Sequence, residues 1–412
     1  MQEEQQDNMA AASGAQAQQP TATPPAPVAA PAKTSVFSGL SGNEMYCVNL
    51  LDYAPGDLLI GNSIFSMGIL GGLKSVGKGM IGGEIDSFTE MIHEGRRLSF
   101  ERLKNEMQQA GADGVAGVGS DLVFHGTNAE FLSVGSAIHK KSGGPGGAFT
   151  TSFDGQELFC QVDAGYVPRS FVFGNVAYSI GIGKGITGMF KQLVKGEVKQ
   201  YTDIFTNTRS LALQRITEEA KAAGANAVTG IRTNILPYGA SGVQEMVMIG
   251  TAASHSMADS LNPNGVITSD LTAEETWNIA KMGYMPQQLV IGTSVYSIGF
   301  VGGFKSFMRK FVKGEVTELT QLIYGAREES LKKVQQQATE LNADDVLGLK
   351  TYIYNLGSGL IEFLVIGTAV KKVQGVGTSS EQLPPQAIIR DKETFSNSAE
   401  LNYGVNLNEQ NG

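Results

Sequence analysis

The clearest hydrophobic pattern in the chain lies in residues 315–341. Apolar residues recur there at intervals of three and four, and charged residues fill the positions between them, as in an amphipathic helix. Asn342-Ala-Asp follows and predicts the turn that ends the helix. Two β-rich segments come next, 346–354 and 360–370, and the Gly-containing turn between them predicts a hairpin.

The same pattern occurs twice earlier in the chain and predicts one unit with the order strand, strand, helix, strand, strand. In the first copy, Tyr46–Leu51 and Leu58–Gly61 are interpreted as the first two strands. In the third copy, Leu271–Trp277 fits a helix as well as a strand. One helix with antiparallel hairpins predicts an α+β fold, of ββαββ type. Because both strand faces are apolar, we expect the uncovered face to be buried against another copy, which implies self-association.

Fixed spacings between residues of the same type show that the unit occurs three times in the chain. Gly61, Gly174 and Gly292 each end a short apolar run, and they are 113 and 118 residues apart. At the same distances from these glycines stand Pro55, Pro168 and Pro286; Glu44, Glu157 and Glu275; Glu84, Glu197 and Glu315; and Arg96, Arg209 and Arg327. The period is domain-sized and exceeds that of solenoid repeats, so it predicts three tandem domains.

The spacings and the composition of the intervening segments predict the domain boundaries. We expect a disordered Gln/Ala/Pro-rich tail at 1–40, repeats at 41–141, 151–255 and 270–373, linkers at 142–150 and 256–269, and a polar tail at 374–412. A length of 412 residues agrees with three domains.

Composition narrows the classes of protein to consider. The net charge of −9 argues against a general nucleic-acid binder, which carries a basic field. The start of the sequence lacks the pattern of a signal peptide. The most apolar run, 58–81, contains two lysines and many glycines, which argues against a membrane span. Two cysteines are too few for a secreted disulfide scaffold, so we expect a cytoplasmic protein.

These residues resemble the YbjQ-like family, small bacterial proteins that carry a heavy-metal-binding label. The resemblance rests on the Ile-Gly-Thr/Asn step, Ala326-Arg327-Glu328, the Gly-Ala-Asp-x-Val-x-Gly turn and the ending Gly367-Thr-Ala-Val-Lys-Lys. It covers roughly three-quarters of the chain and is best in the third copy. It implies small α+β subunits that assemble into rings, typically of five single domains. It implies no activity, and three fused copies depart from the single-domain pattern.

The metal label directs attention to Cys47 and Cys160, which occupy equivalent positions in the first two repeats. The third repeat has Asn278 there, and the four histidines share no repeat position. Soft-metal sites need converging thiolates and imidazoles, commonly as Cys-x₂-Cys or His pairs. We therefore interpret the two cysteines as small core residues and expect no cofactor. A metal shared between copies is the alternative.

The recurring Arg96, Arg209 and Arg327 accompany the recurring Glu84, Glu197 and Glu315. One interpretation is an anion or ligand site at each repeat interface. The other, which we favour, is a set of ion pairs that fix packing between helix and loop or between neighbouring copies.

The segment 299–313 combines phenylalanines at helical spacing with basic residues between them. The basic residues are Lys305, Arg309, Lys310 and Lys313. A short helix with a solvated basic side explains the pattern, and a membrane surface or an anionic ligand are the alternatives. No motif of a known enzyme class is present.

The sequence thus favours a non-enzymatic protein that self-associates into a ring-like oligomer of YbjQ-like domains. A metal- or small-anion-binding module at the repeat interfaces is the second hypothesis. A peripheral membrane factor that acts through residues 299–313 is the third.

Overall fold

The computed structural model describes residues 35–66, 83–125, 128–142, 147–179, 196–238, 243–263, 265–297, 317–357 and 360–384. All three repeats lie in one compact part, Phe37–Gly412. We call the repeats units 1, 2 and 3 in chain order. Thr34 and the residues before it, which belong to the predicted N-terminal tail, lie outside the described residues.

From their first helix onward, units 1 and 2 share one order of elements, and unit 3 follows it wherever its residues are described; a short strand precedes that helix in units 2 and 3. Unit 1 contains α1 (Gly42–Leu50), β1 (Tyr53–Ser66), β2 (Gly83–Glu84), α2 (Asp86–Gln109), β3 (Gly114–His125) and β4 (Asn128–Lys140). Unit 2 contains β5 (Phe149–Thr150), α3 (Gly155–Asp163), β6 (Val167–Ser179), β7 (Gly196–Glu197), α4 (Lys199–Ala222), β8 (Ala227–Tyr238) and β9 (Val243–Ser254). Next come α5 (Ala258–Leu261), β10 (Ile267–Thr268), α6 (Ala273–Lys281), β11 (Tyr284–Ser297), α7 (Thr317–Glu340), β12 (Asp345–Gly357) and β13 (Leu360–Lys372).

The α+β fold with three repeats is confirmed, but the strand predicted at Tyr46–Leu51 was wrong, because Tyr46–Leu50 belongs to α1 and Leu51 is its C-cap. A capping box starts the helix: the Ser41 hydroxyl accepts from the Glu44 N–H, and the Glu44 carboxylate accepts from the Ser41 N–H. Asp154 with Glu157 and Thr272 with Glu275 form the same box at α3 and α6. The ββαββ order therefore begins one element later, with β1 and β2.

The recurring glycines on the long strands let each unit's helix lie directly on its sheet. A Cβ atom at Gly61, Gly174 or Gly292 would lie 2.0, 2.3 or 2.0 Å from a carbonyl oxygen of the unit's own long helix. No side chain fits at that separation, so the helix and strand backbones are in contact. The predicted helix-ending turn is confirmed, since Gly111, Gly224 and Asn342 have φ of 60°, 68° and 50°.

Neighbouring units exchange short strands. The three sheets have the orders β1-β4-β3-β5, β10-β8-β9-β6-β2 and β12-β13-β11-β7. Strand β2 of unit 1 thus joins the sheet of unit 2, and β7 of unit 2 joins that of unit 3. In the opposite direction, β5 extends the sheet of unit 1 and β10 extends that of unit 2. Each unit therefore completes the sheet of its neighbour.

The long helices lie between successive sheets. Helix α2 packs on β1 and β4 of its own unit and also on β6 of unit 2. Helix α4 likewise packs on β6 and β9 and on β11 of unit 3. Helix α7 packs on β11 and β13 of its own unit. The layers therefore follow the order sheet of unit 1, α2, sheet of unit 2, α4, sheet of unit 3, α7. The short helix α3 contacts both α1 and α6.

Segments predicted as linker or tail also carry structure. Residues 256–269 include α5 and β10. Beyond unit 3, the hydroxyl of Ser380 donates to a carboxylate oxygen of Asp163 at 2.6 Å, so the start of the polar tail lies against unit 2. Residues 385–412 lie outside the described part. The domain boundaries stay a prediction.

Candidate functional site

The most unusual polar groups in the structure are two buried Arg–Glu pairs, one at each interface between units. At the interface of units 1 and 2, Arg96 on α2 meets Glu245 on β9. The Nε and Nη2 atoms of Arg96 donate to the two carboxylate oxygens of Glu245 at 3.2 and 2.8 Å, so the contact is bidentate. The side chains are 1% and 0% exposed. Ser120 and Tyr238 satisfy the remaining polar atoms of the pair.

The interface of units 2 and 3 repeats this arrangement with Arg209 on α4 and Glu362 on β13. The Nη2 atom of Arg209 donates to the two carboxylate oxygens at 2.8 and 3.0 Å, and both side chains are 1% exposed. The rings of Tyr178 and Phe205 lie 5.3 and 5.2 Å from the guanidinium carbon. The same helix position and the same strand position therefore meet at both interfaces.

Burial and ion pairing shift the pKa of these arginines in opposite directions. Burial alone lowers the pKa of Arg96, but the facing Glu245 carboxylate outweighs it, and the pKa is raised. The pKa of Arg209 is raised in the same way by Glu362 against the effect of burial. Both arginines are therefore charged, and each depends on a carboxylate from the following unit. Losing one partner would leave the other as an unpaired buried charge.

The predicted companions of these arginines form a second set of ion pairs across the same interfaces. Glu84 accepts from Arg215 of unit 2 at 2.7 Å, and Glu197 lies 3.4 Å from Nζ of Lys333 in unit 3. The structure thus does not bring Glu84 to Arg96 or Glu197 to Arg209. Glu315 lies outside the described residues.

Arg327, the third member of the arginine series, is exposed on α7. It has no ion-pair partner within the described ranges. The strand position that pairs with Arg96 and Arg209 is occupied in unit 1 by Glu130, which accepts from Asn62 and contacts His125. The sequence reasoning missed the strand glutamates, although a signal was present. Glu130, Glu245 and Glu362 each stand five residues before the closing glycine of their repeat.

Apolar side chains surround both pairs and join the units. One cluster combines Phe100 and Val118 of unit 1 with Phe171, Phe173 and Val247 of unit 2. A further cluster joins residues of units 2 and 3, among them Phe205, Ile231, Leu289, Val295 and Leu364. Each interface therefore has an apolar cluster to which both of its units contribute.

The two interfaces differ in how completely they are filled. Phe100, Phe171 and Phe173 fill the space between α2 and β6, with ring centroids of successive pairs 5.3 and 6.3 Å apart. Leucine or isoleucine occupies the equivalent positions between α4 and β11. A cavity of about 520 Å³ remains there. Among the described residues, its lining includes Arg209, Lys221, three glutamines and several hydroxyl side chains, but no carboxylate.

Cys47 and Cys160 are buried, unpaired thiols on α1 and α3. Burial raises the pKa of Cys47 to about 11, and burial also raises the pKa of Cys160. A metal ligand must be the thiolate, which this environment disfavours. Across the described ranges, no group of three His, Cys, Asp or Glu side chains is placed to hold a metal ion. The described residues therefore do not fit a heavy-metal centre.

The basic segment 299–313, with Lys305, Arg309, Lys310 and Lys313, lies outside the described residues. Among the helices of the described residues, none has the length and apolarity needed to cross a membrane.

The chain is a protein of repeated α+β units, each with a long helix on a sheet whose long strands are antiparallel. The family model described as "Putative heavy-metal-binding" matches residues 55–141, 167–256 and 275–373. The chain therefore belongs to the YbjQ-like family and carries three copies of its domain. The resemblance inferred from the sequence is confirmed.

Relatives of two kinds are similar to this chain. An encapsulin nanocompartment protein of Mycobacterium tuberculosis is 29% identical over 253 residues, which are 58% of this chain and 94% of that protein. A UPF0145 protein of Clostridium perfringens is 40% identical over 84 residues, or 20% of this chain and 78% of its own length. A UPF0145 protein of Thermotoga petrophila is 43% identical over 81 residues, or 20% and 76%.

Proposed function

We propose that this protein is a non-enzymatic scaffold subunit that assembles with copies of itself through the outer faces of units 1 and 3. The observation that carries the proposal is the exposure of apolar residues at positions that the internal interfaces bury. Ile64 on β1 is 59% exposed, whereas its equivalents Ala177 and Val295 are fully buried.

The opposite end of the chain shows the same contrast. Leu349 on β12 is 48% exposed, whereas its equivalents Val118 and Ile231 are 2% exposed. Isolated exposed apolar residues are normal on a protein surface, but these stand at the interface positions of a repeated unit. Covering them requires a further copy of the unit, which another chain can supply.

The relative named an encapsulin nanocompartment protein supports an assembling role, because that name describes a protein of an assembled compartment. A cytoplasmic location is part of the proposal and rests on the two unpaired thiols. A ring is the form we favour, because copies joined by one repeated contact close into a ring when the rotation per copy allows it.

Sedimentation velocity and native mass spectrometry of the full chain test the proposal. We expect species of two or more chains at micromolar concentration. A chain that remains strictly monomeric up to about 100 μM, far above the dissociation constants of specific assemblies, would refute it.

A second candidate function is the binding of a small anion in the cavity between α4 and β11. Lys221, three glutamines and several hydroxyl side chains line the cavity, and no carboxylate is among its described lining residues, so a small molecule that carries a carboxylate or phosphate and an apolar part suits it. Arg209 also lines the cavity, but Glu362 neutralises its charge. Leu213→Phe and Ile291→Phe would fill the space, as Phe100 and Phe173 fill it at the other interface. Thermal-shift measurements against a set of small carboxylates and phosphates test this candidate. A stabilisation that the filled variant loses supports the site, and no stabilisation by any of them contradicts it.

The membrane hypothesis rests entirely on residues 299–313 and stays a prediction. Sedimentation with anionic liposomes tests it, since a segment packed on the protein gives no binding.

A further inference from the structure

We infer that the partner of this chain is a second copy bound head to tail, with Arg327 of one copy paired to Glu130 of the next. The inference rests on the proposed self-assembly and specifies which face of the chain meets which. We call the α7 and β12 side of unit 3 the tail face, and the β1 and β4 side of unit 1 the head face.

The two internal Arg–Glu pairs run in the same direction along the chain, and that direction shows which residues an outer pair would join. In both buried pairs, the helix of one unit supplies the arginine and the last strand of the following unit supplies the glutamate. A third contact of this kind needs a helix arginine without a following unit and a strand glutamate without a preceding unit. Arg327 and Glu130 occupy those two positions, in the first and last of the three units that the structure describes. They lie in units 3 and 1, so a second copy is needed to bring such a pair together.

Exposed apolar residues lie on the same two faces as Arg327 and Glu130. On the tail face, Tyr324 and Ile353 are 58% and 56% exposed, and Leu349 lies on the same strand as Ile353. On the head face, Ile60 and Ile64 are exposed. At the interface of units 1 and 2, the equivalents of these two groups pack against each other. His93, for example, stands at the position of Tyr324, and its ring lies 5.1 Å from the ring of Phe173, which stands at the position of Ile60.

The sheets of units 1 and 3 each have an edge strand where the inferred neighbouring copy would bind. In the sheet of unit 2, the preceding unit covers one edge with β2 and the following unit covers the other edge with β10. In the described part of the chain, β1 is an edge strand of sheet 1 and β12 is an edge strand of sheet 3. These are the edges that a preceding and a following unit would cover.

The segment just before α1 stands at the right position to cover the β12 edge of another copy. Strand β5 pairs with β3 at Gly114 and Val115, and β10 pairs with β8 at the equivalent residues. Phe37, which precedes α1, corresponds to Thr150 of β5 and is 71% exposed. Phe37 of the following copy would therefore pair with Val346 of β12, and a copy bound in any other orientation would leave this edge open.

A contact between two different faces is heterologous, so it builds a closed ring or an open filament. An isologous dimer would instead place tail against tail, or head against head. In such a dimer, Arg327 would face another arginine, or Glu130 another glutamate. Charge complementarity therefore favours the head-to-tail arrangement.

Charge reversal with mixing tests the inference. Arg327→Glu alone and Glu130→Arg alone each place like charges in the contact, so we expect each variant to lose assembly, with a dissociation constant raised more than about 100-fold. A 1:1 mixture of the two variants restores complementary pairs at every contact. We expect it to assemble as alternating copies, with an even number of chains in a closed ring. Lys332→Glu is the matched control, since Lys332 lies on the same helix, is 64% exposed and pairs with Glu329.

Circular dichroism and urea unfolding show whether each variant is folded. Ile353→Lys provides a second test that spares the fold, because this side chain is exposed within the chain and buried only in the inferred contact. We expect it to lower assembly as strongly as the charge reversals do. Wild-type assembly that survives in all three variants would overturn the head-to-tail contact and leave the proposed function standing. A monomeric wild-type chain would overturn the proposed function itself.

Discussion

Arg96→Met is the change whose cost follows most directly from the structure. It removes a guanidinium that makes a bidentate contact to Glu245 and leaves that carboxylate buried with Tyr238 as its remaining hydrogen-bond donor among the described residues. Removing one partner of a buried ion pair typically costs about 3–5 kcal/mol, because the remaining charge is uncompensated. We therefore expect the free energy of unfolding to fall by about that amount.

The double variant Arg96→Met with Glu245→Gln separates the unpaired charge from the loss of packing. Glutamine keeps the shape of Glu245 and an acceptor for Tyr238 but carries no charge. Glu245→Gln alone would leave the buried Arg96 charge uncompensated, so it should also cost about 3 kcal/mol or more. We expect the double variant to lose only about 1–2 kcal/mol, so that the two changes are coupled by at least about 2 kcal/mol.

Urea unfolding followed by circular dichroism measures these differences through the midpoint and the slope of the transition. Arg97→Met is the matched control, because Arg97 is the next residue, is 42% exposed and pairs with Glu94 and Glu101 on the surface. Its cost should stay below about 1 kcal/mol. The reasoning fails if Arg96→Met costs no more than this control, or if the two single losses simply add in the double variant.

Two further predictions concern the close helix contact and a half-buried carboxyl group. Gly174→Ala would place a Cβ atom 2.3 Å from the Ala212 carbonyl oxygen, so it should cost more than about 2 kcal/mol in thermal unfolding; Gly147→Ala, whose Cβ meets nothing within 4 Å, is the control, and equal costs would contradict the prediction. Burial raises the pKa of Glu219 from 4.5 to about 7, so the folded state favours the neutral acid and loses stability as pH rises between these values. Glu219→Gln should therefore be more stable than the wild type at pH 8 by about 1–3 kcal/mol and nearly equal to it at pH 5, as measured by urea unfolding; a difference independent of pH would show that the carboxyl does not titrate in this range.

The sequence predicted the repeated unit because its conformational requirements recur at fixed spacing. Gly61 and its equivalents permit the backbone contact with the helix, and Gly111 and its equivalents adopt the left-handed turn. The recurring prolines coincide with irregularities in the strand register, beginning at Pro55 in unit 1. Each of these requirements is local, so a fixed spacing reveals it.

The first helix of each unit was harder to recognise. Tyr46–Leu51 is short and rich in residues that favour strands, and the helix is instead specified by the capping box of Ser41 and Glu44. The spacing of three between these two residues was the signal that could have corrected the interpretation.

The glutamate partners of Arg96 and Arg209 could not be predicted from the spacing of residues within one repeat. Arg96 and Glu245 are 149 residues apart and belong to different repeats. Their contact arises from the packing of α2 against the sheet of unit 2, which sequence spacing within one repeat does not encode. The strand glutamates recur at a fixed position, but only the packing shows which arginine each one meets.

The alternation of sheets and helices also sets a gradient of local stability along the chain. Helix α2, held between two sheets, buries nine residues, including Phe88, Ile92 and Leu103. Of the side chains described on α7, those that are buried are Ala326, Ser330 and Val334. Amide hydrogens open to exchange at a free energy set by the contacts that must be broken, so α7 should exchange fastest of the three long helices in an isolated chain. Binding of a second copy to the tail face would slow that exchange.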